Sequence, residues 1–363
     1  MSTLTETPTF TKSTTAEKCI VVVFNPVSGT SDPEMRKQAI SDALESNGCT
    51  CQFLVTAPDL ELKAAVDEAV RGGADLIVVA GGDGTVMEVL SALVDTDVPA
   101  AIVPSGTGNL LSLNLGIPTT VTEAIEVALE GKVYALDLAR ATVCHPGSAD
   151  RWRHFAIMGG VGLDAQMIRD ADRGMKRRWG VLAYLAAILR NLPKRRIWAS
   201  VTVDGQVPIR RRVKTVMIAN MSKMTGGLDS NPAAVPNDGL LDVGIITPAS
   251  IGQWLHLFGM ALLGRPQDSP FMDVRQGRSI TVKTSRPHPV EFDGESYGET
   301  TEVTCEVLPG AAKIMLPSTS PALEATAGAM SATPTTSKLR LAVVGLTIAG
   351  IVAGVVLAVR RRR

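Results

Sequence analysis

Leu76-Ile77-Val78-Val79-Ala80-Gly81-Gly82-Asp83-Gly84-Thr85-Val86 decides the fold. An unbroken apolar run is a strand buried on both faces, and Val86 onward reads as a helix. The glycines between them remove side chains from the turn. They predict a backbone that bends through φ > 0 and lays its N–H groups against a phosphate. The helix that follows points its positive end at the same place. Asp83 sits inside this cradle, where a bare acid and a phosphate would repel. It fits there if a cation or a bound water lies between them. No Gly-Lys-Ser/Thr follows, and the spacing is not Gly-x-Gly-x-x-Gly, so neither the Walker nor the dinucleotide pattern is present.

Outward from this motif, strands and helices alternate. Ile20 to Phe24 reads as a buried strand ending in Asn25-Pro26-Val27-Ser28-Gly29. Pro33 to Ser46 reads as a helix, Gln52 to Thr56 as a strand, and Asp59 to Arg71 as a helix. Ala100 to Val103 is a fourth strand, running into Pro104-Ser105-Gly106-Thr107-Gly108-Asn109, and Thr122 to Glu130 a further helix. That alternation predicts an α/β domain over residues 18–136 with a mainly parallel sheet covered on both faces. Ligands of such sheets sit beyond the carboxyl ends of the strands, so the three loops rich in Gly, Asn and Ser are expected to share one crevice. From residue 137 to 316 the texture changes to short β-type runs, which predict a β-sandwich domain. Helical stretches interrupt it at Ala165 to Leu192 and Ser250 to Leu263.

The ends differ from the body. Residues 1–17 are rich in Ser and Thr and read as disordered. Residues 317–338 read as a flexible linker. Leu339 to Val359 is apolar apart from Arg340 and Thr347 and, as a helix, would be about 31 Å long, the thickness of a bilayer core. It reads as a C-terminal transmembrane helix, followed by the basic tail Arg360–Arg363. Gly350 and Gly354 form a small-xxx-small pattern that would allow close helix pairing, hence a homodimer. Within Ala165 to Arg196 an apolar helical stretch, Trp179 to Leu192, is bracketed by Arg169, Arg173 and Lys176 to Arg178 and by Lys194 to Arg196, which suits either contact with anionic lipid or a core helix with solvated flanks.

At 363 residues, with 36 basic and 36 acidic side chains, the chain carries no global field that would steer it to nucleic acid. The five cysteines show no Cys-x-x-Cys spacing and read as reduced thiols of a cytoplasmic body.

Five pieces, in order, resemble the diacylglycerol-kinase catalytic family in its bacterial lipid-kinase branch. They are Asn25 to Gly29, Gly81 to Thr85, Pro104 to Asn109, Asn237-Asp238-Gly239-Leu240-Leu241-Asp242 and Asp293-Gly294-Glu295. The resemblance implies an ATP- and Mg²⁺-dependent kinase whose acceptor is a lipid hydroxyl such as that of diacylglycerol. It implies ATP binding by Asn25, Pro26, Ser28, Gly29, Thr56, Gly81, Gly82, Asp83, Gly84, Thr85, Val86, Met87, Ser105, Gly106, Thr107, Gly108 and Asn109. Glu295 takes the place of the family's general base, with Asp83 reaching the catalytic ion or its waters. A structural magnesium is implied at the Asp238 carboxylate and the carbonyls of Val235 and Leu240. The family usually carries Asn where this chain has Met87. Two other readings share the motif: an NAD kinase, and a catalytically silent nucleotide or lipid sensor tethered to the membrane.

Overall fold

Val21, Val22 and Val23 are fully buried in β1 (Ile20–Phe24), as an apolar run without alternation requires. The computed structural model describes residues 18–144, 149–162, 196–221, 235–263 and 265–331. Residues Met1–Thr326 form one unit and Ala327–Arg363 a second.

In the first unit, β1 lies between β2 (Cys51–Val55) and β3 (Leu76–Gly81), and β3 is followed by β4 (Ala100–Pro104), all parallel. Helices α1 (Pro33–Ser46) and α5 (Val121–Glu130) cover one face, through Ile40, Leu44, Ala124 and Ile125. The other face is covered by α2 (Leu62–Arg71), α3 (Asp83–Ala92) and α4 (Leu110–Leu115). Local sequence sets the helix starts. Asp32 accepts from Met35 N ahead of Pro33, and Thr120 caps α5 through Glu123 N while its hydroxyl donates to Glu123. Chain order reverses between β1 and β3, and ligand crevices form at such a point.

The second half is not appended to this sheet; it grows out of it. β14 (Glu295–Leu316) pairs in parallel with β4 at Ile314 and Ala100, and antiparallel with β5 (Lys132–Cys144) along most of its length. Leu136, Ile314 and Leu316 pack in the α/β core, whereas Ala139, Ala141, Val303 and Val307 pack in the second core. The expected boundary at 136/137 therefore falls inside a strand, and the last residues of the expected second domain return to the first. Asp137 marks the crossing. Its carboxylate, 1% exposed, accepts from Gly239 N at 2.8 Å and Gly310 N at 2.7 Å.

Around the second core lie two layers. One runs β12 (Met272–Gly277), β11 (Leu241–Ile246), β10 (Thr215–Ala219), β7 (Met158–Val161) and the end of β13 (Ser279–Phe292). The other runs β9 (Ile209–Val213), β8 (Ile197–Val203), the start of β13, β14, β5 and β6 (Arg151–Phe155). β13 belongs to both, because its register shifts between Lys283 and His288. Pro287 and Pro289 read as a break in the sequence; at an irregularity the missing N–H groups are tolerated. β9 is an edge strand with exposed Arg210, Arg211 and Arg212, so it lacks the alternation that would reveal it. Helix α6 (Ile251–Leu262) seats Leu257 and Trp254 against Met217, Ile246 and Met272.

One reading is corrected outright. The expected linker 317–338 contains helix α7 (Pro321–Ser331). Ser320 is fully buried with its hydroxyl donating to Leu115 O at 2.6 Å, and Thr326 donates to Asn237 Oδ1 at 2.9 Å. Ala, Leu and Glu favour helix, and this short run escapes notice among the Ser, Thr and Pro around it. The expected disorder of 1–17, the helix Ala165 to Leu192 with its basic flanks, the span Leu339 to Val359, its glycine pair and the tail Arg360–Arg363 lie outside the described residues, Arg196 excepted. Among the described residues no helix is long and apolar enough to cross a membrane.

Candidate active site

Three loops meet at the carboxyl ends of β1, β3 and β4, and they are tied to one another by side chains expected to bind nucleotide. Asn25 Nδ2 donates to Thr85 Oγ1 at 2.8 Å, and Gly82 N donates to Ser28 Oγ at 3.1 Å. Ser105 N donates to Gly81 O at 3.1 Å, while Asn109 folds back on Gly106 through both ends of its amide. These side chains shape the crevice as much as they line it.

The glycines act by size. None of Gly81, Gly82 and Gly84 has positive φ, which corrects the expected left-handed turn. A β-carbon on Gly106 would instead lie 2.7 Å from Gly82 Cα, so two loops pass backbone against backbone. Gly29 does combine both needs: φ is +82° and a β-carbon would run into Ser105 O. Helix α3 also starts earlier than read, at Asp83, with Gly82 as its N-cap. Its first-turn N–H groups thus lie inside the motif.

Asp83 Oδ1 accepts from Leu110 N at 2.7 Å and Leu111 N at 3.4 Å, and Oδ2 faces Gly108. The acid expected to reach a cation is also the brace that starts α4. Val86 and Met87, 3% and 4% exposed, turn their side chains into the core, and Val86 N is bonded to Gly82 O at 3.0 Å. Thr56 stands one strand out, its N–H bonded to Phe24 O at 2.9 Å. Thr107 and Gly108 are exposed. A cleft of about 500 Å³ lies beside these loops, lined by Gly29, Thr30, Arg36, Ser105, Gly106 and Thr107 among others.

From the other half comes the β13–β14 hairpin. Phe292 and Glu295 are paired, and the two residues between them, Asp293 (φ +48°) and Gly294 (φ +83°), both adopt the left-handed region that a two-residue turn of this hand demands. Asp293 faces inward and accepts from the N–H groups of Ala156 (2.8 Å), Ile157 (3.0 Å) and Met158 (2.9 Å). Burial pushes its carboxyl up to about 6, against the pull of those donors and of Arg153. Glu295 leaves the turn toward α3. Its Oε1 lies 3.0 Å from the point where a β-carbon on Gly84 would be, and its Oε2 pairs with Arg153 Nη1 at 3.0 Å. The structure thus joins Gly84 and Glu295, which stand far apart in sequence order.

At the expected structural metal turn, Asp238 Oδ1 accepts from Leu240 N at 2.9 Å and Val235 O accepts from Asp238 N at 3.3 Å. Burial raises the Asp238 carboxyl, and neighbouring Asp137 adds to the rise. The Asp238 carboxylate and the Val235 carbonyl are oxygen donors of the kind a hard cation takes, while both Asp137 oxygens are already bonded to Gly239 N and Gly310 N. Among the described residues no cluster of three acidic, His or Cys side chains occurs.

Several residues escaped the sequence reading. Arg36, 7% exposed, donates to Ser28 O, Asn25 O (2.9 Å) and Pro26 O (3.5 Å) and so holds the first loop; burial lowers its pKa. A signal existed, since Arg36 falls on the stripe of α1 that buries Ile40, Ala43 and Leu44. Glu88, one turn beyond Gly84, has its carboxyl raised by burial and then by Glu295. Arg153 had no signal, because it sits on a short edge strand without pattern.

This architecture, an α/β nucleotide-type crevice closed by a hairpin from a β-sandwich, defines a class that the comparisons identify. Residues 19–141 match the diacylglycerol kinase catalytic domain. Residues 158–316 match the YegS C-terminal domain, described as NAD kinase beta sandwich-like. The chain belongs to the diacylglycerol kinase catalytic-domain family, a family of lipid kinases.

An uncharacterised protein of Synechocystis sp. is 30% identical over 313 residues, 82% of this chain and 70% of that protein. A diacylglycerol kinase of Mycobacterium tuberculosis is 26% identical over 268 residues, 73% of this chain and 84% of that one. A crystal structure of a candidate diacylglycerol kinase from Bacillus anthracis superposes with a TM-score of 0.67 at 25% identity, covering 85% of this chain and 99% of that one.

Proposed function

We propose that this protein transfers the γ-phosphoryl group of ATP to a lipid hydroxyl, most simply that of diacylglycerol, giving phosphatidic acid. The observation that carries the reading is the approach of Glu295 Oε1 to Gly84 in the first turn of α3. It sets a carboxylate against a helix N-terminus in a crevice built of glycine backbone. A phosphate held by those N–H groups would have an acid beside it to take the proton of an attacking hydroxyl.

The geometry supports the following roles. Asn25, Ser28, Ser105 and Asn109 hold the loops, and the main-chain N–H groups of Asp83, Gly84 and Thr85 in the first turn of α3, with Thr107, receive the nucleotide. Asp83 fixes the loop 104–109 against α3. A divalent ion between Asp83 and the phosphates would neutralise their charge when bound, and a second would rest on Asp238 and the carbonyls of Val235 and Leu240. Support for a lipid acceptor comes from α6, where Ile251 (40%) and Leu255 (42%) stay exposed on the helix whose Leu257 and Trp254 pack inward. The apolar segment Leu339 to Val359 would tether a cytoplasmic body to the membrane and raise its concentration near an insoluble substrate.

The test is transfer of label from γ-labelled ATP, with Mg²⁺, into a total lipid extract. Label in a phosphatidic acid band is the expected result. ATP bound without any labelled lipid would overturn the kinase reading in favour of a sensor.

A further inference from the structure

We propose that Arg153 is a catalytic residue of this transfer, a guanidinium that leaves Glu295 for the γ-phosphoryl group when the nucleotide arrives. The proposal rests on the kinase reading above and assigns the site a cation of its own.

Phosphoryl transfer loads charge onto three equatorial oxygens, and a positioned cation lowers that barrier. Arg36 is committed to carbonyls of the first loop. Arg153 is placed differently. It pairs with Glu295 at 3.0 Å, and Glu295 in turn abuts Gly84 where the first turn of α3 would receive the phosphate. Among the described residues it is the one cation paired with Glu295.

The arginine is the more buried member of the pair. The Arg153 side chain is 20% exposed, against 55% for Glu295. Tyr297 fixes the strand that carries it, donating from its hydroxyl to Trp152 O at 3.0 Å while its ring takes the Arg151 and Arg153 guanidinium carbons at 4.6 and 5.4 Å. The buried Nε of Arg153 has no hydrogen-bond partner, so the guanidinium is only partly satisfied by the carboxylate. An ion pair this open on one side is weak and easily exchanged for a stronger anion.

In the step itself, the acceptor oxygen bonds to the γ-phosphorus as the bond to the β-phosphate oxygen breaks. The electron pair of that bond leaves with ADP, and the hydroxyl proton passes to Glu295. Arg153 donates N–H groups to the equatorial oxygens, and its departure frees the Glu295 carboxylate to accept the proton.

The experiment compares the full chain with Arg153→Ala and Arg153→Lys, reading single-turnover transfer and the affinities for ADP and a non-hydrolysable ATP analogue. Arg153→Ala is expected to slow transfer about 10³-fold and to abolish any preference for the ATP analogue over ADP. Arg153→Lys should keep part of both, and added guanidinium should restore part of the rate to Arg153→Ala, which a misfolded variant could not show. An Arg153→Ala variant that retains both the rate and the preference of a wild type that transfers would overturn the role of Arg153 alone. A wild type that binds nucleotide but never transfers would remove the kinase reading and this role together.

Discussion

The two walls of the crevice are held in shape by opposite means. On the α/β side, loop meets loop with nothing between them, as at Gly106 and Gly82, and polar side chains such as Asn25 and Ser28 tie one loop to the next. On the sandwich side, one buried carboxylate, Asp293, gathers three N–H groups and so aims the residue two positions on. The first wall distributes its order over many small ties. The second concentrates it in one group, and single substitutions should expose that asymmetry.

The largest effect belongs to the second wall. Asp293→Ala leaves three buried N–H groups without an acceptor, and its expected cost is about 3–5 kcal/mol by urea unfolding. Transfer should fall with it, because Glu295 loses its aim. A loss no greater than that of a single loop tie would erase the contrast between the walls.

The charge on Asp293 sharpens the same point. Its carboxyl is raised to about 6 in the fold from an ordinary value near 4, so the folded state holds the proton more tightly. The stabilisation this brings is present below about pH 4 and is lost as pH rises through 6, up to about 3 kcal/mol. Relative to Asp293→Asn, which does not titrate there, the wild type should lose stability between pH 4 and 7. A wild type that instead gains on the variant over that range would mean the three donors outweigh burial.

On the first wall, Gly106→Ala drives a β-carbon against Gly82 Cα at 2.7 Å. The expected cost is about 2–3 kcal/mol, since backbone rather than a pliant side chain must move. Nucleotide affinity, read by calorimetry, should fall further than for Asn25→Ala, where one tie of several is lost.

The same asymmetry governs what could be read from sequence. The α/β wall was legible because its strands are unbroken apolar runs and its loops carry Gly, Asn and Ser at strand ends; β1, β3 and β4 stand close to where the pattern puts them. What periodicity could not carry was the reason for the glycines, which is contact between loops far apart in sequence. The β wall was legible at its turn, since Asp-Gly is the preferred pair there, but not in its long strands. β13 and β14 run through prolines, bulges and two cores, so no single alternation describes them. Arg153 and Asp137 owe their positions to pairing between distant strands, which local pattern does not encode.

The smallest effect tests the seam where the chain returns from the second core to the first. Thr326 Oγ1 on α7 stands 2.9 Å from both Asn237 Oδ1 and Ala322 O, which compete for its one proton, and 3.3 Å from the Tyr134 hydroxyl. Asn237 precedes Asp238, so this helix reaches the turn expected to hold a cation. Thr326→Val keeps the shape of the side chain and removes the hydroxyl. Its cost should be about 1 kcal/mol, the net worth of one hydrogen bond. A flexible linker would show no change at all, and a docked helix would show the same loss in unfolding by urea and by heat. If the loss appears only when Mg²⁺ is present, the contact serves the Asp238 turn rather than the α/β core, and α7 belongs functionally to the second wall.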